Sequence, residues 1–283
     1  MTQAALVPAG VRATEVFAVR KGLARTAHDW VAEECAVALV FNGISHAVMM
    51  ATPADLEDFA TGFALSEGLI EDRTELRSIE VVPVADGIEV QLEVSAQCEW
   101  RLRSRRRSMA GRTGCGLCGT DSLAAVRQPI TVVEALEVSA GAITRALQAL
   151  PQWQAIQRVT GATHAAAWCD LDGVPLIVRE DVGRHNALDK VIGAMVRNAS
   201  DARAGFICVT SRASFEIVQK AARAGIAVLA AVSAPTALAV DIAAASGQLL
   251  LGFVRGNDLV AYTHAGRLHL PAAALPRLPE DEA

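Results

Sequence analysis

Two stretches in the first hundred residues show the alternation of apolar and polar positions that is typical of β-strands. In residues 36–50, two apolar runs flank Asn42-Gly43, and in residues 78–95 apolar and polar positions alternate after Asp86-Gly87. Asn-Gly and Asp-Gly pairs tolerate the positive φ angles of tight two-residue turns. Both stretches are therefore predicted to be β-hairpins.

A helix is predicted between the two hairpins. Apolar residues follow at helical spacing after the segment TPAD, in which Thr52 is the expected N-cap, and Gly68 is placed to end the helix. The helix and the hairpins predict a small α+β domain over residues 31–125. Residues 1–30 have weak periodicity and are expected to be a partly ordered lead-in.

The second half of the chain alternates between strand-like and helix-like segments. Apolar runs at 206–210, 227–232 and 249–254 are separated by helical patterns that end near Gly225 and Gly247. Continuous apolar strands that alternate with helices indicate a buried, largely parallel sheet. The other expected segments are a helix over 138–150, two strands around Asp172-Gly173, a helix after Asn186 and a hairpin around Gly256-Asn257.

The predicted fold class is therefore α/β, with a smaller α+β N-terminal part, an α/β domain over residues 126–275 and a frayed tail over 276–283. Of the 283 residues, 52% are hydrophobic, which is enough for buried cores and excludes a mostly disordered chain. The formal net charge of -5 and the aromatic content of 4% argue against a general nucleic-acid binder.

Membrane insertion and export are not expected either. The longest apolar run, between Arg223 and Asp241, is interrupted by polar residues and Pro235, which is typical of buried structure and not of a membrane span. The N-terminal residues lack a basic start followed by an apolar core, so no signal peptide is predicted. A cytoplasmic location is expected.

Residues 100–120 differ in character from the rest of the chain. This stretch contains no acidic residue and six arginines, which are Arg101, Arg103, Arg105, Arg106, Arg107 and Arg112. Its second half places four glycines around Cys115 and Cys118. We predict a strand or irregular segment that leads into a mobile loop carrying both cysteines. The other four cysteines lie singly in apolar stretches and are expected to be buried: Cys35, Cys98, Cys169 and Cys208.

The Cys115-Gly-Leu-Cys118 motif is open to four interpretations. It could be half of a zinc site, a thioredoxin-like redox pair, a nucleophilic thiol on a mobile arm or an incidental pair. A four-ligand zinc site usually needs a second pair, which the sequence lacks, and a redox pair normally opens a helix after a strand. Nearby guanidiniums favour the nucleophile, because positive charge stabilises a thiolate and lowers the thiol pKa. The arginines alone also fit a solvated strand face or an oligomer contact.

A polar turn follows one of the predicted strands. Seven of the eight residues 179–186 are polar or glycine, between an apolar strand and an amphipathic helix. Such a turn places side chains and backbone N–H groups at the carboxyl end of a sheet, where ligands bind. An ordinary N-cap with salt bridges is the alternative, although a cap needs fewer polar residues. The candidate binding residues of this turn are Arg179, Asp181, Arg184, His185 and Asn186.

Three other strand ends carry candidate residues. His164 precedes a strand, Ser211 and Arg212 follow the strand at 206–210, and residues 253–258 form a turn after the last long strand. Each also fits a structural role, as a hydrogen-bonded histidine, a helix start or a hairpin turn. Convergence of these strand ends on one sheet would favour a ligand site over the separate structural roles.

The chain resembles the formate dehydrogenase accessory sulfurtransferase family, known as FdhD, over most of its length. The segments that carry this resemblance are TGCGLCG, THAAA, REDVGRHNALDKVIG, SRASFEIVQKAARAGI, AVSAPTALAV and GFVRG. The twelve-residue run REDVGRHNALDK is long enough to be highly specific.

The resemblance implies a homodimer with a cytidine-deaminase-like C-terminal domain. It implies transfer of persulfide sulfur from a cysteine desulfurase to the molybdenum cofactor, a bis-molybdopterin guanine dinucleotide, before this cofactor enters formate dehydrogenase. Cys115 would carry the persulfide and Cys118 would assist. The residues that match the family's cofactor-binding segment are Phe253, Val254, Arg255, Gly256, Asn257 and Asp258. Arginines and helix N-termini suit the phosphates of the guanine nucleotide arms.

A deaminase-like fold is not expected to bring deaminase chemistry. Zinc deaminases need an H-x-E motif and a later P-C-x-x-C motif. Here His164 is followed by Ala165 and Ala166, and no later Cys motif exists, so we expect no protein-bound zinc. Two other hypotheses remain open: a molybdenum-cofactor chaperone whose cysteines are incidental, and a zinc-knuckle interaction protein.

Overall fold

Strands and helices alternate along the chain in the computed structural model, which describes residues 7–108 and 130–270. The predicted α/β class is confirmed. The elements of the first half are β1 (Val11–Arg20), β2 (Leu23–Ala32), β3 (Cys35–Phe41), β4 (Ile44–Ala51), α1 (Leu56–Ser66), β5 (Leu76–Val84), β6 (Gly87–Val94) and α2 (Ala96–Ser108).

The second half continues this alternation with more strands in one sheet. Its elements are β7 (Val138–Ser139), α3 (Ala140–Ala149), α4 (Ala155–Thr160), β8 (His164–Asp170), β9 (Pro175–Asp181), α5 (Arg184–Arg197), β10 (Gly205–Val209), α6 (Phe215–Arg223), β11 (Val228–Ala231), α7 (Ala237–Ser246), β12 (Leu249–Arg255), β13 (Asp258–Ala261) and β14 (Leu268–His269).

Both predicted hairpins of the first half are confirmed, and they share one sheet with the strand order β4-β3-β6-β5. The turn residues Asn42 and Gly43 have φ angles of 45° and 76°, the positive values that this tight turn needs. The Asn42 side chain donates to Glu99 Oε2 at 2.7 Å and accepts from the Val94 backbone N–H at 2.8 Å. The turn therefore also ties β6 to the first residues of α2.

The predicted helix between the hairpins is α1, which covers one face of this sheet. Phe59 and Phe63 are buried in the same apolar cluster as the strand residues. The helix ends just before Gly68, whose φ is 65°. The prediction of Thr52 as the N-cap is wrong, because the helix starts later, after Asp55, and Thr52 bonds to the second half of the chain instead.

The second half forms a six-stranded sheet with the order β13-β12-β11-β10-β8-β9. Strands β10, β11 and β12 are parallel, whereas β8, β9 and β13 pair antiparallel with their neighbours. The sheet is therefore mixed and not largely parallel as predicted. The short turns around Asp172-Gly173 and Gly256-Asn257 are the cause, because a parallel connection needs a longer crossover.

Helices cover both faces of this sheet, as its apolar strands predict. Helices α5, α6 and α7 pack on one face, where Leu188, Ile217 and Ala243 are fully buried. Helix α3 packs on the other face through Ile143 and Ala146. The sheet is thus the middle layer of three, and its strand ends are the places where polar residues can reach a ligand.

The predicted lead-in contains a long hairpin. Strands β1 and β2 pair antiparallel from Val11 to Ala32, and their turn at Lys21-Gly22 has φ angles of 53° and 79°. A two-stranded ribbon has little second layer to cover it, and Phe17 is 73% exposed. The sequence pattern therefore lacks the regular burial that marks a core strand, which is why the hairpin was not predicted.

The arginine-rich stretch begins as the helix α2 and not as a strand or irregular segment. Cys98 and Leu102, one helical turn apart, are buried against the four-stranded sheet, and Arg101 forms an ion pair with Glu75. Arginine is a good helix former, so this sequence suits a helix once one face is covered. The predicted loop with Cys115 and Cys118, the predicted boundary at residue 125 and the tail over 276–283 lie outside the described residues.

The predicted division into domains stays a prediction. Within the described ranges, no helix combines the length and the hydropathy that crossing a membrane would need.

Candidate functional site

Five strand ends meet at one edge of the six-stranded sheet. The parallel strands β10, β11 and β12 end at this edge, and the antiparallel strand β8 begins there with His164. Strand β9 ends there as well, since His164 pairs with Asp181. A bridge between Ala213 and Pro235 joins the loops that follow β10 and β11. The convergence that the separate motifs suggested is therefore confirmed.

Three arginines on this edge have no acidic partner in the part of the chain that the structure describes. Arg184 starts α5, Arg212 follows β10 and Arg255 ends β12. Arg212 and Arg255 are exposed, and Arg184 is half-buried. Within residues 7–108 and 130–270, no carboxylate forms an ion pair with any of them. We call these three residues the arginine edge.

The arginine edge is long enough for an extended ligand. Neighbouring strands lie about 4.8 Å apart, so the four steps from β12 to β9 span roughly 19 Å. Guanidinium groups bind phosphates and carboxylates through paired N–H donors. A row of unpaired arginines over this distance suits a ligand that carries more than one anionic group.

His164 lines a polar cavity at the β9 end of the edge. The cavity has a volume of about 470 Å³, and its lining residues are Gln154, Gln157, Gly161, Ala162, Thr163, His164 and Thr210. Burial and the charge of Arg184 lower the pKa of His164. Arg184 Nε is buried and has no hydrogen-bond partner among the described groups. A buried donor of this kind is costly unless a ligand or water satisfies it, which favours an anion beside Arg184.

His185 lies next to Arg184 and faces the start of α6. Its Nε2 atom is 3.3 Å from Ser214 Oγ and 3.3 Å from Glu216 Oε2. Ser214 Oγ in turn donates to Glu216 Oε2 at 2.7 Å. Burial, followed by the charge of Arg184, lowers the pKa of His185 to about 4, so the imidazole is neutral at neutral pH.

Asp181 supports the turn that carries Arg184 and His185. Its buried carboxylate accepts from Gly183 N at 2.8 Å, from Thr52 N at 3.0 Å and from Asn186 Nδ2 at 3.0 Å, and it pairs with Lys190 Nζ at 2.7 Å. Because both oxygens are engaged inside the protein, Asp181 holds the turn that carries Arg184 and His185 in place. The buried Asn186 does the same, since its Nδ2 also donates to Met50 O.

Arg179 has a different environment from the arginine edge. Its guanidinium donates to Asp58 Oδ2 at 2.9 Å and 2.8 Å, and it lies 3.4 Å from Asp55. Asp58 also pairs with Arg197 at 2.6 Å. Arg179 was a candidate binding residue, but the structure places it in the contact between β9 and α1, where its charge is already compensated.

The turn over residues 253–258 is distorted where it approaches the neighbouring strand. Phe253 is exposed and has a φ angle of 52°, and the pairing of β12 with β13 shifts between Gly252 and Arg255. A positive φ at a non-glycine residue stores strain and is common at functional sites. Arg255 Nε donates to Val232 O at 3.3 Å, which holds the turn against the loop after β11.

The other residues of this turn differ in what they can offer to a ligand. Val254 is buried in the core, so only its backbone is available. Gly256 accepts from Gln148 Nε2 at 2.9 Å through its backbone oxygen, while Asn257 and Asp258 are exposed. On the neighbouring loop, Ser211 is buried and donates to Arg212 O at 2.9 Å, so Ser211 supports Arg212.

The cysteines divide into two groups. Cys98, Cys169 and Cys208 are buried as predicted, and Cys35 is only partly covered. Burial raises the pKa of Cys208, so this thiol is inert at neutral pH. Cys115 and Cys118 lie outside the described residues. Among the residues the structure does describe, no group of three or more His, Cys, Asp or Glu side chains could hold a metal ion.

Sequence reasoning missed three residues that shape the site: Thr52, Lys190 and Glu216. Lys190 did carry a signal, because a lysine within the apolar stripe of a helix must find a buried partner. Thr52 carried none, since its role depends on a contact with Asp181, which is 129 residues away in the chain.

Comparisons with known proteins find relatives over most of this chain. The model of the FdhD/NarQ family matches residues 32–269. The chain is 56% identical to the sulfur carrier protein FdhD of Bordetella petrii over 90% of this chain and 93% of that protein. It is 55% identical to the protein of the same name from Variovorax paradoxus, over 94% and 93% of the two chains.

A solved structure has the same fold. It is a crystal structure from Desulfotalea psychrophila that is described as a formate dehydrogenase accessory protein, with a TM-score of 0.72 and 20% sequence identity. The match covers 92% of this chain and 99% of that chain. Since the family model spans the whole described core and both close relatives share its name, this chain belongs to the FdhD/NarQ family.

Proposed function

We propose that the protein is a sulfurtransferase that carries persulfide sulfur from a cysteine desulfurase to the molybdenum cofactor, and that formate dehydrogenase depends on this transfer. The names of the close relatives support sulfur carriage, and the name of the solved relative supports a role with formate dehydrogenase. In this proposal the bis-molybdopterin guanine dinucleotide is the substrate that receives the sulfur.

The observation that carries the binding half of the proposal is the arginine edge. Arg184, Arg212 and Arg255 have no acidic partner among the described residues, whereas Arg179 and Arg197 are paired with Asp58. In a protein with a net charge of -5, three arginines gathered on one sheet edge make a locally positive surface, which attracts an anionic ligand. The two guanine dinucleotide arms supply phosphates at separated positions.

The sulfur-carrying half of the proposal rests on Cys115 and Cys118. A thiolate of Cys115 would attack the terminal sulfur of a desulfurase persulfide, forming a new S–S bond while the desulfurase cysteine leaves as a thiolate. One S–S bond forms while another breaks, so no oxidant or reductant is needed at this step. Cys118 would assist the later release. The positive charge of the surrounding arginines favours the ionised thiol.

Mass spectrometry of proteolytic peptides from the full-length protein tests this step directly. After incubation with a cysteine desulfurase and cysteine, we expect an adduct with the mass of one sulfur atom on a peptide containing Cys115 or Cys118. Cys98, Cys169 and Cys208 are internal controls, since buried thiols should take up none. An active desulfurase that leaves both Cys115 and Cys118 unmodified would contradict the proposal.

A cofactor chaperone is the second candidate function, and the arginine edge alone supports it. The double variant Cys115→Ala/Cys118→Ala separates the two candidates. If this variant still matures formate dehydrogenase, the protein acts by binding the cofactor and not by carrying sulfur. The homodimer, the cytidine-deaminase-like description of the fold and the expected lack of zinc stay predictions, which sedimentation, further structural comparison and metal analysis can test.

A further inference from the structure

The contact between His185, Ser214 and Glu216 determines which imidazole nitrogen carries the proton. A carboxylate only accepts hydrogen bonds, and the single hydroxyl proton of Ser214 is used in the 2.7 Å bond to Glu216. Neither neighbour can therefore donate to His185 Nε2, although both lie 3.3 Å from it. The Nε2 atom must be the protonated one, because lone pairs would otherwise face each other.

A neutral ring with the proton on Nε2 leaves Nδ1 as a bare acceptor. The ring is neutral because burial and the charges of Arg184 and Lys220 outweigh the attraction of Glu216. Among the residues that the structure describes, none hydrogen-bonds to His185 Nδ1. The guanidinium groups of the arginine edge can only donate hydrogen bonds. A free acceptor beside Arg184 can instead bind a donor group of the ligand.

The same geometry excludes a hydrolytic triad. In such a triad the histidine stands between serine and carboxylate and uses a different nitrogen for each. Here Ser214 and Glu216 share the Nε2 side of His185, and the serine proton points to the carboxylate. The arrangement orients the ring and does not activate the serine.

We propose that Glu216 is a positioning residue that holds His185 as the Nε2–H tautomer, so that Nδ1 accepts a hydrogen bond from an N–H or O–H donor of the bound nucleotide. The inference deepens the proposed function and rests on it for the ligand. His185 then accepts a hydrogen bond from the base or the ribose, while the arginine edge binds the phosphates. The donor is either a guanine N–H group or a ribose hydroxyl.

Nitrogen-15 NMR of the full-length protein tests the tautomer without any ligand. We expect the His185 Nδ1 resonance at the position of an unprotonated imidazole nitrogen at neutral pH. In Glu216→Gln, the new amide or the freed Ser214 hydroxyl can donate to Nε2, so the proton should move to Nδ1. Ser214→Ala is the matched control, because Glu216 still accepts from Nε2 directly and the tautomer should stay. A wild-type ring protonated on Nδ1 would overturn the inference.

Nucleotide binding provides the second readout, with guanosine diphosphate as the probe and calorimetry as the measurement. Loss of one neutral hydrogen bond predicts roughly tenfold weaker binding to Glu216→Gln, with an unchanged melting temperature. Inosine and 1-methylguanosine diphosphates remove the base donors one at a time, and the 2′- and 3′-deoxy nucleotides remove the ribose donors. The analogue that lacks the recognised donor should bind wild type more weakly than guanosine diphosphate does. The Glu216→Gln variant should bind this analogue and guanosine diphosphate with equal affinity.

The outcomes separate this inference from the proposed function. If wild type binds guanosine diphosphate and Glu216→Gln binds it equally well, the positioning role is wrong while the arginine edge stands. If wild type with the expected tautomer binds no guanosine diphosphate, the proposed ligand is wrong, and the acceptor role fails with it.

Discussion

Gly62 of α1 and Gly193 of α5 face each other where the two helices cross. A Cβ atom on Gly62 would lie 1.7 Å from Asp189 O, and one on Gly193 would lie 1.8 Å from Asp58 O. The backbones of the two helices are therefore in direct contact. This contact joins the first half of the chain to the helix that starts with Arg184. The packing of α1 against α5 therefore helps to fix the position of Arg184.

Replacing either glycine by alanine should separate the helices. We expect Gly62→Ala and Gly193→Ala each to lower the free energy of unfolding by roughly 1–3 kcal/mol, the usual cost of overpacking a tight contact. Urea unfolding followed by circular dichroism measures this change. Gly266→Ala is the control, since nothing lies within 4 Å of a Cβ at that position. An unchanged midpoint in both helix variants would show that the contact is not close.

Charge reversal on the arginine edge should weaken anion binding without unfolding the protein. Arg184→Glu, Arg212→Glu and Arg255→Glu each remove a charged hydrogen-bond donor, which predicts at least roughly tenfold weaker binding of guanosine diphosphate. Titration calorimetry and a melting curve measure the two quantities. The matched control is Arg203→Glu, because Arg203 is 67% exposed and lies just before β10, at the opposite end of the sheet. If the three arginine-edge variants bind guanosine diphosphate as tightly as Arg203→Glu and wild type do, the arginine edge is not the binding site.

Asp181 and Lys190 form a buried ion pair. Removing one charge of this pair should lower the free energy of unfolding more than removing both charges. Lys190→Met leaves the fully buried carboxylate without its 2.7 Å partner, so we expect a loss of about 3–5 kcal/mol in the free energy of unfolding. The double variant Asp181→Asn/Lys190→Met removes both charges and should recover much of this loss. Chemical unfolding of the two single variants and the double variant completes the cycle. Additive losses would mean that the pair is not coupled.

His185 predicts a dependence of stability on pH. As the pH falls, the unfolded chain binds a proton on this residue near its ordinary value of 6.5, whereas the folded protein does so only near 4. The unfolded state binds more protons in this window, so stability falls as the pH drops from about 6.5 to 4, by up to about 3 kcal/mol from this group. Arg184 and Lys220 disfavour the charged ring, and Glu216 favours it.

The variant His185→Asn isolates this contribution from that of the carboxylates. Its unfolding free energy should fall less steeply than that of wild type between pH 7 and about 5, since only wild type carries the titrating ring. Unfolding curves at several pH values measure both slopes. Parallel curves for wild type and His185→Asn would show that the pKa of His185 is not lowered.

Local sequence signals were sufficient where an element depends on its own residues. The Asn42-Gly43 turn was predictable because it needs positive φ angles at two positions, and those residue types tolerate them. The helix α5 was predictable from its apolar stripe. The hairpin of β1 and β2 and the helix α2 were not, because their burial depends on neighbours that are distant in sequence.

The sequence by itself determined the α/β alternation, the polar turns after the strands and the arginines they contain. Tertiary structure alone decided which of these arginines are available. Arg179 and Arg184 lie five residues apart in one motif, yet Arg179 meets Asp58 of α1 and Arg184 meets no carboxylate among the described residues. The physical reason is that a charge is compensated by its neighbours in space, and here those neighbours lie more than a hundred residues away in the chain.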